Sequence, residues 1–485
     1  MVAAVFFVSG STAHGQQGFY EPPSPLPAGK PGDLIRWEPT PAESSGGNDL
    51  PGSAWRILYR STTATGKPTA VSGIVLVPDV PVDGKRPLVG YSVGTRGLAD
   101  RCAPSRNIPD GGEPEGNTIR DLLDHGWAVS VTDWEGLGTP GDHTYVVGRA
   151  EGQAVLDGIR AARNLEDAAL PADGPLALMG YSQGGHSTSW AAQVQPRYAP
   201  ELRLTGAAAG AVPSDLQRAA ENIDGGVAAG LVLYAAIGMD TAYPELQLER
   251  YLNDSGRQAV EEIRDTCVLD GSVFKFGFRQ SRSYTTTDVP ALPAWDARLT
   301  ENGVGAIAPD APLFLYHARR DELIPYELSE ELRARWCSQG VNVRLVETPG
   351  ADHSLTGTSL GNPSAIAWLA ERFASGPPPQ PAECPFASVR LRFGFPGGLR
   401  RHAARRAWHI HARTRGGTAR DLTFAVRYRR GRIVGRSTPR DLRGYAHIRI
   451  TLRRRLERGR RYALVATARR PDGSQLRRRA RFRYA

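Results

Sequence analysis

The chain has 485 residues, which exceeds one typical domain, so two or three domains are expected. Its apolar fraction of 40% and charged fraction of 23% are ordinary for a globular protein. No apolar run beyond the first residues is long enough to cross a membrane, and none of the four cysteines stands in a C-x-x-C pair, which argues against a zinc or redox site. An even number of cysteines fits an exported disulfide protein and leaves three pairings open.

The formal net charge of +10 is distributed unevenly along the chain. Residues 386–485 contain 30 Arg, no Lys and 4 acidic residues, so this segment has a charge of +26 and the rest of the chain a charge of −16. The sequence therefore predicts an acidic body followed by a very basic C-terminal part. A basic face of this kind is suited to binding polyanions.

The N-terminus has the apolar and small-residue parts of a secretory signal. Residues 2–8 are apolar and residues 9–15 are mostly small, although the usual positive residues before the apolar run are missing. We interpret residues 1–18 as a signal segment and expect a secreted protein, located outside the cell or in its envelope.

Residues 19–54 are rich in Pro and Gly and are predicted to run over the surface as an N-terminal arm.

Strands and helices alternate through the middle of the chain, which predicts an α/β fold with a mostly parallel sheet and helices on both faces. We place the core of this fold at 55–212 and 309–376. Strands are expected at 55–62, 70–77, 86–93, 127–133, 176–179, 202–212, 312–318 and 342–347. Helices are expected at 118–124, 149–167, 187–195, 327–338 and 363–373.

The alternation is interrupted at 213–308 by an Ala-rich segment whose first part has a helical pattern. A long segment between two sheet strands lies where a lid over the carboxyl ends of the strands is expected. An ordinary helical excursion of the core is the alternative. We prefer the lid because the nearly continuous apolar run at 227–236 needs a surface to cover.

The C-terminal part is predicted to be a separate all-β, sandwich-like domain at 386–485, joined to the core by a stiff Pro-rich linker at 377–385. Asp472-Gly473 is typical of a hairpin turn. The segments with period-two alternation of apolar residues are 389–395, 408–413, 422–429, 447–452, 463–468 and 479–484.

The segment Leu176 to His186 contains a G-x-S-x-G motif centred on Ser182. A short apolar run precedes the motif and a helix-compatible segment follows it, which is the strand–turn–helix context of a nucleophile elbow. Small residues at Gly180 and Gly184 let the strand and the helix pass close to each other. We identify Ser182 as the candidate nucleophile; a Gly-rich turn with a bystander serine is the alternative.

A nucleophile of this kind takes an acid and then a histidine from later loops that follow sheet strands. Asp321 and His353 both fall in such loops, so we assign Asp321 as the orienting carboxylate and His353 as the general base. Glu322 and Asp352 are the rival acids. Asp352 is too close to His353 in sequence for the usual geometry, and Glu322 is expected to point away from Asp321.

Two other histidines lie near these motifs. His186 is expected on the helix after the elbow and directed aside. His317 lies inside a predicted strand and is interpreted as a core residue.

When a serine nucleophile attacks a carbonyl group, the carbonyl oxygen becomes a negatively charged oxyanion, and this oxyanion needs at least two N–H donors. The N–H of Gln183, at the start of the helix after Ser182, is the first candidate. The second donor is expected from the Gly-rich loop after the strand at 86–93, where Thr95 and Arg96 both qualify and the choice stays open.

Together these residues resemble the secretory lipase family, the lipase A type of α/β-hydrolases. The resemblance covers roughly Trp55 to Cys384, and its motifs are specific as a set although each alone is weak. The motifs are Gly94-Thr95-Arg96-Gly97, Cys102-Ala103-Pro104-Ser105, Asp133-Trp134-Glu135-Gly136-Leu137-Gly138, Gly180-Tyr181-Ser182-Gln183-Gly184-Gly185, Asp321-Glu322-Leu323-Ile324-Pro325 and Asp352-His353.

The resemblance implies a triad of Ser182, Asp321 and His353, a helical lid, and hydrolysis of carboxylic esters, often triacylglycerols. It also implies two disulfides, Cys102–Cys267 between the oxyanion loop and the lid, and Cys337–Cys384 between the last segment and the core. Family members can place an acidic residue near the position of Arg96, and the basic residue here departs from that pattern. The Arg-rich part lies outside the resemblance.

The sequence therefore predicts a secreted serine carboxylester hydrolase, with a lipase preferred over a short-chain carboxylesterase or a serine peptidase on the same fold. The substrate is an ester lipid, taken up at an interface, and no metal or organic cofactor is expected. The C-terminal domain is predicted either to bind polyanions of the cell envelope or to be a solvated stabilising domain. It matches no nucleic-acid motif. An inactive scaffold is disfavoured because all three triad positions are filled.

Overall fold

The computed structural model describes residues 18–268, 270–349, 352–353, 357–375, 384, 390–394, 407–415, 419–428, 432–442, 445–453, 456–457, 459–469 and 475–483. Three predicted features lie outside these residues: the signal segment, most of the Pro-rich linker and the Asp472-Gly473 turn. The chain has two compact units. One contains the residues up to Gly174 together with Ile223–Arg298, and the other contains Pro175–Asn222 and the residues from Leu299 onward. The division into these two units does not test the predicted domain bounds, which stay a prediction.

The elements follow the predicted alternation. The strands are β1 (Leu34–Thr40), β2 (Glu43–Ser44), β3 (Asn48–Asp49), β4 (Ser53–Thr62), β5 (Pro68–Val77), β6 (Leu88–Ser92), β7 (Ala128–Thr132), β8 (Leu176–Tyr181), β9 (Gly206–Gly210), β10 (Leu313–Ala318), β11 (Val343–Thr348), β12 (Arg390–Gly394), β13 (Ala407–Arg415), β14 (Ala419–Tyr428), β15 (Arg432–Arg436), β16 (Arg440–Leu442), β17 (Tyr445–Leu452), β18 (Arg461–Arg469) and β19 (Gln475–Arg483). The helices are α1 (Pro104–Asn107), α2 (Gly116–Asp124), α3 (Gly148–Asn164), α4 (Gln183–Tyr198), α5 (Leu216–Ile223), α6 (Gly230–Ala242), α7 (Asp254–Ile263), α8 (Pro293–Glu301), α9 (Tyr326–Gln339) and α10 (Asn362–Ser375).

The main sheet of the first unit has five strands in the order β1-β4-β5-β7-β6, and β2 and β3 form a separate antiparallel pair. The pairs β1–β4, β4–β5 and β5–β7 are antiparallel, and β6–β7 is parallel. All five residues of β6 and of β7 are buried, as is usual for strands of a parallel pair that is covered on both faces.

The N-terminal arm is less irregular than its sequence predicted, because it contains β1, paired with β4 with Trp37 opposite Ile57. The strand is an edge strand, and Trp37 is 47% exposed. An edge strand that buries little side-chain area leaves a weak apolar pattern, and the flanking Pro and Gly residues hide it further.

The second unit contains four parallel strands in the order β8-β9-β10-β11. The strand β9 is shorter than predicted, and its sequence GAAAG is completely buried. A Cβ added at Gly210 would lie 2.3 Å from the ring of Tyr181 and 2.5 Å from that of Tyr316. The small residues of β9 thus leave room for large rings on the two neighbouring strands. The carboxyl ends of β8, β10 and β11 lie at one edge of this parallel group.

Residues 390–483 contribute an antiparallel sheet in the order β12-β13-β17-β15-β14-β18-β19, with β16 paired to β14. Alternate residues of its strands form a hydrophobic core of their own, as the period-two pattern predicted. That core includes Ile410, Leu422, Phe424, Val426, Ile448, Ile450, Leu464 and Ala466. The short strands β15 and β16 were not predicted, because few apolar residues mark them.

Two disulfides link distant parts of the chain, Cys102–Cys267 and Cys337–Cys384. Both pairs are those that the resemblance implies. Among the described residues, no helix combines the length and the apolar character that a membrane span requires.

Candidate active site

Ser182 lies at the turn between β8 and α4, in a backbone conformation that is rare for a residue with a side chain. Its φ is 57° and its ψ is −119°, which is the strained geometry of a nucleophile elbow. The Ser182 N–H donates to the carbonyl of Gly210 at 3.0 Å, so β9 holds the turn in place. Although Ser182 occupies the N-cap position of α4, its hydroxyl makes no capping hydrogen bond and is available for another partner.

The close approach of α4 to the sheet depends on glycine. A Cβ added at Gly185 would lie 2.2 Å from the carbonyl oxygen of Gly210, a distance that no real side chain tolerates. The helix starts at Gln183, four residues earlier than the sequence predicted, since the Gly residues of the elbow weaken a helical pattern there.

His353 lies between Ser182 and Asp321 and contacts both. Its Nε2 lies 2.8 Å from Ser182 Oγ, and its Nδ1 lies 2.6 Å from Asp321 Oδ2. The His353 backbone N–H donates to Glu322 Oε2 at 2.8 Å, and the ring of Tyr181 lies 5.2 Å from the imidazole, centroid to centroid. Asp321 and Tyr181 therefore hold the imidazole with its Nε2 towards the serine.

Asp321 is buried and fully used as a hydrogen-bond acceptor. Its Oδ1 accepts the N–H groups of Leu323 and Ile324 at 2.9 and 2.8 Å, and its Oδ2 accepts hydrogen bonds from His353 and His317. Burial by itself raises the pKa of the Asp321 carboxyl, but the hydrogen bonds from His317 and His353 outweigh it and hold that pKa well below its usual range. The carboxylate is therefore ionised wherever the protein is folded at ordinary pH.

His317 is the member of this cluster that sequence reasoning missed. It is completely buried in β10, as expected, but its Nε2 lies 3.0 Å from Asp321 Oδ2 and its Nδ1 lies 2.8 Å from Ser329 Oγ. A signal was present, because a histidine at the end of an apolar strand needs hydrogen-bond partners and Asp321 follows four residues later.

The alternatives named from the sequence fall into place around this cluster. Glu322 contacts the backbone of His353 and not its imidazole, so it fixes the loop instead of the ring. His186 is buried and directed to the carbonyl of Asn302, with Nε2 2.9 Å from the oxygen. Asp321 is the carboxylate at the imidazole Nδ1, and its role as the orienting acid stays a prediction.

The candidate oxyanion donors belong to different compact units, and their meeting in one site stays a prediction. Gln183 is the first residue of α4, and the first N–H groups of a helix point out of its N-terminal end, which attracts negative charge. Thr95 and Arg96 follow β6; the hydroxyl of Thr95 lies 2.9 Å from that of Tyr145.

The loop that carries Thr95 is fixed by a buried ion cluster that the sequence did not reveal. The Arg96 guanidinium pairs with Glu113, with Nε 2.9 Å from Oε2, and with Glu115, with Nη2 2.8 Å from Oε1. Glu115 also accepts the N–H of Gly94 at 2.8 Å. Burial lowers the pKa of the Arg96 guanidinium, but Glu113 and Glu115 outweigh this effect and raise that pKa above its ordinary value. The side chain of Arg96 is therefore committed to holding the loop.

The same loop is joined to the segment around Cys267. Gly97 forms an antiparallel bridge with Cys267, the N–H of Val268 donates to the carbonyl of Arg96 at 2.8 Å, and Cys102 completes the link through its disulfide. The backbone of the loop is thus held by a covalent bond and by hydrogen bonds to one short segment.

Comparisons with known proteins identify the family of this chain. A family model described as secretory lipase matches residues 114–380. This chain belongs to the secretory lipase family. A secreted triacylglycerol lipase of Malassezia furfur is 30% identical over 343 residues, covering 67% of this chain and 69% of that protein.

Two further matches are informative about the family. A protein of Mycobacterium tuberculosis named a probable inactive lipase is 30% identical over 376 residues, covering 74% of this chain and 82% of that protein. The crystal structure of Candida antarctica lipase A in its closed state has a TM-score of 0.67 and 26% identity, covering 76% of this chain and 88% of that one. The chain therefore has the α/β-hydrolase fold of lipase A, as predicted, together with the C-terminal antiparallel sheet, and it is a hydrolase of the lipase and esterase type.

Proposed function

We propose that this secretory lipase family member is a secreted serine carboxylester hydrolase, and within that class a lipase. The observation that carries the proposal is the hydrogen-bonded chain from Ser182 Oγ through the His353 imidazole to Asp321. A serine hydroxyl, a base and an orienting carboxylate in this order are what acyl transfer needs.

In the proposed reaction Ser182 Oγ attacks the carbonyl carbon of the ester, and His353 Nε2 takes the hydroxyl proton. The imidazolium that forms is stabilised by the ionised Asp321 at its Nδ1. When the tetrahedral intermediate collapses, the ester C–O bond breaks and His353 returns its proton to the leaving alcohol. Water, activated by the same imidazole, then attacks the acyl-serine, releases the carboxylic acid and restores the Ser182 hydroxyl.

The negative oxygen of the intermediate is assigned to two backbone donors. Gln183 supplies one N–H from the start of α4, and the Thr95–Arg96 loop supplies the second. The loss of one such donor in other serine hydrolases costs about 3 kcal/mol of transition-state stabilisation.

Three exposed apolar side chains support a lipase over a short-chain esterase. Val227, Phe274 and Phe278 lie in the predicted lid, and Phe278 is 77% exposed. The N–H of Phe278 donates to Gly226 at 2.7 Å, so Phe278 and Val227 are close together. Apolar side chains exposed in this manner are suited to contact with an apolar surface.

The nucleophile is tested with a fluorescent alkyl phosphonate, which reacts with activated serines. We expect covalent labelling of the natural protein and of Ser255→Ala, which changes an exposed serine, and no labelling of Ser182→Ala. Labelling or ester hydrolysis that persists in Ser182→Ala would end the proposal. Absence of labelling and hydrolysis in the natural protein would place it with the probable inactive relative.

The substrate class is tested with p-nitrophenyl esters of increasing acyl length. A lipase hydrolyses the hexadecanoyl ester at a rate comparable with the butanoyl ester, whereas a ratio near zero identifies a short-chain esterase. Cleavage of a peptide amide without ester preference would instead support a peptidase.

Two observations support the proposal that the protein is secreted. A relative is named a secreted lipase, and the two disulfides are typical of proteins that fold in an oxidising compartment. Recovery of the protein from the culture medium with both disulfides intact is the expected result, and retention in the cytoplasm would contradict it.

A further inference from the structure

One face of the C-terminal sheet carries a group of exposed arginines. Residues next to core positions in a strand point to the opposite face, which here is the side away from Leu464, Ala466 and their neighbours. On that side, six arginines with described side chains are exposed. We call them the arginine face: Arg436, Arg449, Arg461, Arg477, Arg479 and Arg481.

The register sets these charges in a regular array. Arg477, Arg479 and Arg481 follow one another at every second position of the edge strand β19, so their Cα atoms are about 7 Å apart. Their partners on β18 are the short residues Thr467, Val465 and Ala463. Long cationic side chains therefore stand beside a strip of small ones.

Few acidic residues are available to neutralise these six positive charges. Within the described part of the chain, none of the six takes part in an ion pair; the pair that the structure gives in this region, Arg460 with Glu457, lies outside the face. The whole segment 386–485 contains only 4 acidic residues for 30 Arg. The positive potential of the face is thus directed to the solvent.

The chemistry of the face favours binding to a layer of anionic headgroups rather than to a nucleic acid. Guanidinium groups form paired hydrogen bonds with phosphate and carboxylate, and Arg is weakly hydrated, which suits it to headgroups. Single-stranded nucleic acids are held by aromatic stacking, but Phe424, Tyr428 and Tyr462 belong to the core side of the sheet. A sheet face presents its charges over an area, as a lipid surface does.

We propose that the arginine face binds the protein to an anionic lipid–water interface. The binding itself is independent of the proposed hydrolysis; its benefit rests on the proposed function, because ester lipids gather at such an interface. Each hydrolysed ester leaves an ionised fatty acid there, so the surface becomes more negative and the attraction increases as the reaction proceeds.

The test uses the full chain carrying Ser182→Ala, so that binding is measured without hydrolysis. Vesicles of phosphatidylcholine with one quarter phosphatidylglycerol are compared with pure phosphatidylcholine vesicles in a sedimentation assay. We expect binding to the anionic vesicles only, and loss of that binding when the salt concentration rises from about 0.1 M to about 1 M, because the Debye length falls from about 10 Å to about 3 Å. Equal binding to both vesicles, or binding to neither, would overturn the proposal.

The face is then tested by substitution. Replacing Arg477, Arg479 and Arg481 by Gln is expected to weaken binding about a hundredfold, at roughly fivefold for each arginine near a charged membrane. The control replaces three exposed arginines outside both the C-terminal sheet and the predicted lid, Arg149, Arg197 and Arg203, by Gln. It removes the same charge, and we expect binding to stay within about threefold of the parent protein.

Equal losses in the two triple variants would show that net charge, and not this face, drives binding. Retention on heparin or DNA without binding to anionic vesicles would assign the arginine face to a different polyanion and overturn the proposal. Unchanged melting temperatures of both triple variants show that the losses do not come from unfolding.

Discussion

At the scale of single residues, Asp321 shows how much of a site is built to hold one carboxylate. It accepts hydrogen bonds from two backbone N–H groups and from two imidazoles, and only one of these imidazoles faces Ser182. His317 thus acts through Asp321 and is a positioning residue in the proposed reaction. The carboxylate keeps its charge in a buried setting because four donors replace the water that it has lost.

The first prediction concerns the acid. Asp321→Asn is expected to lower kcat by about 10⁴-fold, because the amide stabilises the wrong tautomer of the base, as for the corresponding change in other triads. Glu322→Gln, which changes the neighbouring acid, is expected to lower kcat by less than about tenfold. Steady-state hydrolysis of p-nitrophenyl butyrate measures both. A larger loss in the Glu322 variant would make Glu322 the orienting acid.

The second prediction concerns His317. His317→Phe is expected to lower kcat about tenfold to a hundredfold with KM unchanged, since Asp321 loses a donor and the imidazole of His353 is held less accurately. His317→Gln restores part of the rate because its amide N–H can donate to Asp321. Both variants are compared by kcat, KM and the pH dependence of kcat. If the Phe variant shifts only the melting temperature, with kcat and its pH profile unchanged, the role of His317 is structural.

A third prediction follows from the lowered pKa of Asp321. Between about pH 5 and pH 3 the unfolded chain takes up a proton on Asp321 while the folded protein does not. The stability that this carboxylate contributes is therefore complete above its ordinary value of 3.8 and is lost as the pH falls towards the folded pKa. The natural protein is expected to lose stability relative to Asp321→Asn over this range, as measured by urea unfolding. A constant difference would show that the folded carboxyl titrates as in the unfolded chain.

At the scale of elements, the loop after β6, which is the proposed oxyanion loop, and the turn at Ser182 after β8 are held by different means. The elbow depends on close packing, with Gly185 against the carbonyl of Gly210. The loop depends on the buried Arg96 cluster and on the Cys102–Cys267 disulfide. Changes in these two elements should therefore have different consequences.

For the elbow we predict that Gly185→Ala destabilises the fold by about 1 to 3 kcal/mol, because its Cβ overlaps a backbone oxygen that cannot move freely. Gly18→Ala is the control, since its Cβ would meet nothing nearer than 3.8 Å. Thermal unfolding followed by differential scanning fluorimetry compares the two variants. Equal melting temperatures would mean that α4 moves away from β9 without cost.

For the loop we predict that replacing Cys102 and Cys267 together by Ala lowers kcat about tenfold, because a preorganised donor loses its anchor, although the remaining hydrogen bonds still hold part of the loop. Replacing Cys337 and Cys384 together by Ala is the matched control, and it is expected to lower the melting temperature with kcat nearly unchanged. A parallel loss of kcat in both double variants would remove the special role of the loop disulfide.

At the scale of the whole molecule, the match to the secretory lipase family ends at residue 380, and a sheet with a core of its own follows at 390–483. The proposed chemistry depends on residues before this boundary, and the arginine face lies after it. Binding to a surface and hydrolysis are thus assigned to different parts of one chain. The charge is divided in the same way, with an acidic body before residue 386 and a strongly basic segment after it.

Much of this arrangement could be read from local patterns. The turn after β8 was recognisable because a serine between glycines at the end of an apolar run is typical of a nucleophile elbow. Asp321 and His353 occupy loops whose positions the strand pattern predicts. The antiparallel C-terminal sheet was visible because alternation with period two is a local property of the chain. These features depend on residues that are near one another in sequence.

The rest required the tertiary structure. The contact of His317 with Asp321, the pairing of Arg96 with Glu113 and Glu115, and the strand β1 at the sheet edge depend on which residues meet after folding. Burial removes water from polar groups, so their partners are chosen by proximity in space and leave no pattern in the sequence. The sequence by itself thus determined the three candidate residues, Ser182, Asp321 and His353, and the charge of the tail, and only the fold decided which buried groups hold these side chains in place.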